Sequence, residues 1–290
     1  MAPDHSQKSN ATSWLHIAQR MQNFIRTLLV ITALKALAMT SSAVVLDWNN
    51  LPVGQPWTNG SLSNSFDVDA TNAGNDITVG VVSNGVTLAT GYPQNAVSAT
   101  IAGGDASYLR LNTTAGMVNS SNSVSVTITF NYALGVNNVT LSLLDIDATA
   151  DTESGTGYID RISAISATPL GGPANSVALT GTNTSNVVTT LTGSGTLGME
   201  VQGNVAAGNI STHNGDVTFT SDGTPITSIT FTWNNPGPDY FNGQIIALGN
   251  ITFTAAPVPE IGSSFGALAT CGGLLAAWRR RPARQGLAAA

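Results

Sequence analysis

Eight residues, Ser123 to Phe130 (SVSVTITF), alternate polar and apolar side chains without a break. A period of two sorts the apolar members to one face of an extended strand and the hydroxyls to the other, whereas a helix would scatter them around its circumference. The same alternation recurs in VTLSLLDI (139–146), YIDRISAI (158–165), DVTFT (216–220), ITSITFTW (226–233) and NITFT (250–254). Turn formers separate these runs: Gly181, Asn183, Gly193, Gly195, Gly203, Asn204, Asn214-Gly215 and Asp222-Gly223. No segment between 44 and 256 carries a helical stripe. Many short strands at this spacing predict an all-β protein, an antiparallel β-sandwich of jelly-roll-like winding. Residues 44–256 are enough to bury one core, and no Pro-rich or charged linker divides them.

Charge is scarce and segregated. Charged residues make up 9% of the 290, against roughly 25% in a typical globular chain. Between 44 and 256 only Arg110 and Arg161 are basic, against fourteen acids, a formal charge of −12. Nucleic-acid binding relies on Lys and Arg, so this body argues against a nucleic-acid partner. It is compatible with cations or neutral glycans. Cys271, near the C-terminus, is the only cysteine, which rules out a disulfide framework and a cysteine metal site.

Both ends read as addresses. Arg26 precedes an apolar run from Leu28 to Ala38, and Ser41 and Ala43 stand at the −3 and −1 spacing of a signal peptidase site. Residues 1–43 are therefore read as a signal peptide with an apolar helix, cleaved after Ala43, with Ala38 as the runner-up and Met21 as an alternative start. At the other end Ile261 to Trp278 contains eighteen residues without a charge. As a helix they would span roughly 27 Å, enough for a thin bilayer core. Trp278 would mark the interface, and Arg279, Arg280 and Arg281 would hold the cytoplasmic side.

The order Val258-Pro259-Glu260, an apolar segment, Trp278 and an arginine cluster resembles the PEP-CTERM sorting signal. The resemblance covers about residues 257–284 and leaves the body untouched. It departs at one position, where Ile261 stands in place of the family's second proline. What it implies is a Gram-negative bacterial protein, exported, held transiently in the inner membrane and handled there by an exosortase. The destination is the cell surface or the extracellular matrix, in association with exopolysaccharide and biofilm. The domain reading is then 1–43 signal peptide, 44–256 ectodomain and 257–290 sorting tail, apolar over 261–278 and basic over 279–284.

Chemistry in the body concentrates in LLDIDATADTESGTGYIDRI (143–162). Asp145 and Asp147 lie two apart and so share a face; Asp151, Glu153 and Asp160 follow. Hard oxygen ligands gathered in this way suit Ca²⁺, although Ala150 and Thr156 rule out an EF-hand loop. The competing reading pairs Arg161 with Asp145 or Asp147 across two strands. WNNPGPDYFNG (233–243) offers Trp233, Asp239, Tyr240 and Phe241 as a lectin-like glycan platform, and the competing reading makes such aromatics core. Nucleophilic catalysis has no constellation here. His213 is the body's only histidine, and Glu153 and Glu200 are its only glutamates. The expectation is an exported surface or matrix protein without enzymatic activity. A glycan- or Ca²⁺-dependent binding module is the alternative and a secreted hydrolase the third reading.

Overall fold

The computed structural model describes residues 19–22, 24, 42–97, 107–115, 121–148, 158–183, 190–192, 194–203, 215–236 and 243–257. The chain divides into two units, Met1–Ala256 and Pro257–Ala290, and every described strand lies in the first. The expected apolar segments at 28–38 and 261–278 fall outside the described residues. Among those described, no helix is long and apolar enough to cross a membrane.

Among the described residues fifteen strands form, all paired antiparallel. They are β1 Ala43–Leu46, β2 Ser63–Phe66, β3 Ile77–Asn84, β4 Thr87–Leu88, β5 Gln94–Val97, β6 Ser107–Ala115, β7 Ser123–Phe130 and β8 Val136–Leu144. After these come β9 Arg161–Pro169, β10 Thr180–Asn183, β11 Thr190–Thr192, β12 Met199–Gln202, β13 Val217–Thr220, β14 Ile226–Asn234 and β15 Ile245–Ala255. The pairings resolve into two layers. One runs β11-β12-β9-β14-β7-β3-β2. The other runs β10-β13-β8-β15, with β1 and β6 side by side along the free edge of β15, and β5 and β4 on β6. Among the described residues two bridges join the layers, Ile226 to Val136 and, beyond the ends of β8 and β9, Ala148 to Ile159. Two antiparallel layers over one core make a β-sandwich.

The alternation read from the sequence sets the core. In β7 every second residue is buried, Val124, Val126, Ile128 and Phe130. Ile229, Phe231 and Trp233 do the same on β14, while Val139, Leu141 and Leu143 of β8 and Ile251 and Phe253 of β15 face them from the other layer. The rings of Phe130 and Phe253 meet edge-to-face across the layers at 5.1 Å. Trp48, Trp57 and Phe66 close one flank, with ring centroids 5.8–6.4 Å apart. The Trp48 indole N–H donates to the carbonyl of Gly249 at 2.8 Å and that of Trp57 to Pro93 at 3.0 Å. These two tryptophans are thus core residues with satisfied polar tips.

Candidate functional site

Antiparallel pairing brings alternate strand ends to one end of the sandwich. The C-terminal ends of β8, β12 and β14 arrive there together with the N-terminal ends of β9, β13 and β15. The sequence loads these ends with polar groups. Asp145 and Asp147 follow β8, Asp160 precedes β9, Asp216 precedes β13, Trp233 and Asn234 end β14, and Gln244 precedes β15. Asp145, Asp160, Asp216, Asn234 and Gln244 are all buried.

Asp160 is the centre of this acid corner and has no exposed surface. Its Oδ1 accepts the indole N–H of Trp233 at 2.8 Å and the Gln244 amide at 3.4 Å. Its Oδ2 faces the backbone N–H of Asp147 at 3.4 Å, and its own N–H donates to the Asp147 carbonyl at 2.8 Å. Asp145 turns its backbone into the left-handed region, φ 67°, a conformation that Asp and Asn tolerate better than other side chains. Two glycines make room for this chain segment. A Cβ on Gly203 would collide with the backbone of Asp147, and one on Gly215 would lie 2.7 Å from the nitrogen of Ile146. Close approach is what allows Gly203 N–H to reach the Asp160 carbonyl at 2.8 Å and Ile146 N–H to reach that of Gly215 at 3.1 Å.

The electrostatics follow from burial. Desolvation, then the neighbouring Asp147, pushes the Asp145 carboxyl up to about 7; Arg110 pulls the other way and Asp216 adds to the rise. Burial also raises Asp147, against the hydrogen bonds it receives from Asp160 and Tyr158. Burial, and then the neighbouring Asp147, raises Asp160 well above the ordinary carboxyl range. The Tyr158 phenol is driven up by burial and by the same carboxylates. Asp160 is fully enclosed among these groups.

Of the expected Ca²⁺ ligands, Asp145, Asp147 and Asp160 come together here, while Asp151 and Glu153 lie outside the described residues. Among the described residues no three His, Cys, Asp or Glu side chains form a ready metal-holding group. Arg161 does not pair with Asp145 or Asp147, which corrects the ion-pair reading. Its Nε donates to Asn234 at 2.8 Å and its guanidinium lies 3.7 Å from Glu200. The reason is the period of two: Arg161 follows the inward Asp160 and therefore points to the opposite face.

The glycan platform is corrected in part. Trp233 is fully buried and spends its N–H on Asp160, so it cannot stack on a sugar. Asp239, Tyr240 and Phe241 lie outside the described residues, as do the sorting residues Val258, Pro259, Glu260, Trp278, Arg279, Arg280 and Arg281. Ala43 opens β1, opposite Thr254. Sequence reading missed Arg110, Asp216 and Gln244, which reach the corner from strands far away in the chain. The polar residue immediately before VTFT and before IIAL was the available signal.

No protein-family model matches the chain, and no curated protein does. Among solved structures it is similar to a family 11 carbohydrate-binding module from Clostridium thermocellum, in complex with a beta-1,3-1,4-mixed-linked tetrasaccharide. That match has 10% identity over 67% of this chain and 96% of the other, with a TM-score of 0.29. The family 11 module of the cellulosomal cellulase Lic26A-Cel5E of Clostridium thermocellum matches at 9% identity over 76% and 99%, with a TM-score of 0.28. At such values the fold rests on the strand pairings alone.

Proposed function

We propose that the chain is an exported bacterial surface or matrix protein whose jelly-roll-like sandwich is delivered by its C-terminal tail. The observation that carries this is the motif Val258-Pro259-Glu260 with Trp278 and Arg279–Arg281 behind an apolar run. It begins three residues after the last strand ends at Ala255. In this reading the signal peptide exports the body, the apolar run stops in the inner membrane, and an exosortase acts near Pro259. The alternation of successive strands between the two layers, β7 and β8, then β13, β14 and β15, supports the jelly-roll-like winding. Expression beside an exosortase tests the delivery. The intact chain goes to the surface fraction, and Arg279–Arg281 replaced by Ser, or removal of 258–290, diverts it. An unchanged distribution on removal of the tail would sink the reading.

A second observation favours a neutral glycan as the partner of the body. The outward rows of the first layer carry Ser65, Thr78, Thr129 and Ser228 in one register, and Thr127 and Thr230 beside Gly80 in the next. Hydroxyls touch across strands, Ser65 to Thr78 at 2.8 Å, Ser125 to Thr232 at 3.2 Å and Thr127 to Thr230 at 3.3 Å. The other layer aligns Thr252, Thr140, Thr220 and Thr180. In a body of net charge −12 these rows hold no charge, which suits a neutral polyhydroxyl surface and disfavours an anionic one. Retention on an insoluble neutral glucan, diminished at least tenfold by Thr127→Lys with an unchanged melting temperature, is the expected result. Equal retention of the variant would contradict it.

A further inference from the structure

We propose that the acid corner binds a single divalent cation of the Ca²⁺ type, with Asp145, Asp160 and the amide oxygen of Gln244 among its ligands. The corner gathers more carboxyl groups than cations. β8, β9 and β13 bring Asp145, Asp147, Asp160 and Asp216 to one end of the sandwich, and Arg110 of β6 is the cation that acts on Asp145. Arg161, next in sequence, is turned away onto Asn234 and Glu200. Burying carboxylates without a counter-charge is costly.

The independent observation is Gln244. Its side chain is 2% exposed, and its amide N–H reaches Asp160 at 3.4 Å, so the amide sits inside the corner. Its Oε1 nevertheless has no hydrogen-bond partner, and neither does Oδ1 of Asp145. Buried acceptors without donors are rare in folded proteins, and each marks a missing partner. A neutral amide oxygen and a carboxylate oxygen, both lacking donors beside further carboxylates, form the ligand mixture that Ca²⁺ prefers. That ion takes six to eight oxygens, with amide and backbone carbonyls and water completing the carboxylates. The backbone carbonyls of Asp147 and Gly215 line the same segment, although each already accepts an N–H. Among the described residues no three of these side chains form a metal-holding group by themselves, so the amide oxygen is what distinguishes this site from a bare acidic cluster. A bound ion would tie β8, β9 and β15 together at one end of the sandwich.

The position of Trp233 supplies the measurement. Its indole donates to Asp160 at 2.8 Å, so Tb³⁺ in the corner would receive energy from that ring. The full chain is titrated with Tb³⁺, then with Ca²⁺, and calcium binding is read separately by equilibrium dialysis. The expected result is sensitised emission saturating at one ion per chain and displaced by Ca²⁺. Asp145→Asn suits the left-handed backbone at that position and keeps the fold; Gln244→Met keeps the side-chain length and loses the oxygen. Each is expected to weaken calcium binding by roughly tenfold or more. Trp233→Phe is expected to abolish the emission while dialysis still registers the ion. No bound calcium in dialysis, or binding untouched by both Asp145→Asn and Gln244→Met, would overturn the site. A chain stabilised by acid and indifferent to Ca²⁺ and EDTA would overturn it too, because protons alone would then balance the corner. Failure here leaves the delivery reading untouched, since that rests on the tail.

Discussion

Trp233→Ala is expected to bring the body close to unfolding. Trp233 is among the largest fully buried side chains, and truncating a buried Trp to Ala costs about 3–5 kcal/mol. The substitution also strips Asp160 of its 2.8 Å donor, and leaving a buried acceptor without its donor costs about 1–3 kcal/mol. Domains of this kind have about 5–15 kcal/mol in total, so the sum removes a large part. Trp233→Phe separates the two contributions, since it retains most of the volume and loses the N–H. Urea midpoints of the three chains measure this. The expected order is wild type, then Phe, then Ala, with the Phe variant nearer to wild type at acid pH, where a protonated Asp160 needs the indole less. A Phe variant as unstable as the Ala variant at every pH would show that the indole hydrogen bond, rather than volume, dominates.

The metal-free body is expected to lose stability as pH rises from about 4 to about 7, the reverse of the usual acid response. The sign follows from proton binding. Asp145 has its carboxyl raised from 3.8 to about 7 in the folded chain, so between those values the folded state binds a proton that the unfolded state has released. Stability then falls with pH across that window and levels off above it. The full difference corresponds to about 4 kcal/mol, at about 1.4 kcal/mol per unit, and Asp147 and Asp160 act in the same direction. Asp69, half-buried, and Asp222, exposed, have carboxyls lowered by hydrogen bonds from Thr71 and Thr224 and weaken the chain only below about 4. Urea midpoints in EDTA between pH 4 and 8 give the curve, and Asp145→Asn flattens it. A midpoint that rises or stays level from 4 to 7 in the wild-type chain would contradict the charge distribution described for the corner.

The layers were legible where alternation was unbroken. SVSVTITF and ITSITFTW became β7 and β14, with the apolar members inside. The same alternation placed Trp233 on the inner side with Ile229 and Phe231, so its burial was already written in the period, and the glycan reading of that residue ignored it. What the sequence could not show was which strands become neighbours. β14 lies between β7 and β9, and contacts between residues 73 to 107 positions apart leave no local pattern. The acid corner was half legible for that reason. Asp145, Asp147 and Asp160 sit within one short stretch, while Gln244 lies 84 positions from the Asp160 it touches. The apparent pairing of Arg161 with the aspartates failed because adjacent residues on a strand face opposite ways.

Delivery is the central claim, and the two ends of the mature chain test it most directly. Peptide mapping by mass spectrometry of the protein recovered from the cell surface reads both. The account predicts a chain that begins at Val44, after Ala43, ends near Pro259, and lacks every peptide carrying Trp278 and Arg279–Arg281. Recovery of the chain only from the cytoplasm, with peptides from before Ala43 and from beyond Trp278 intact, would contradict it.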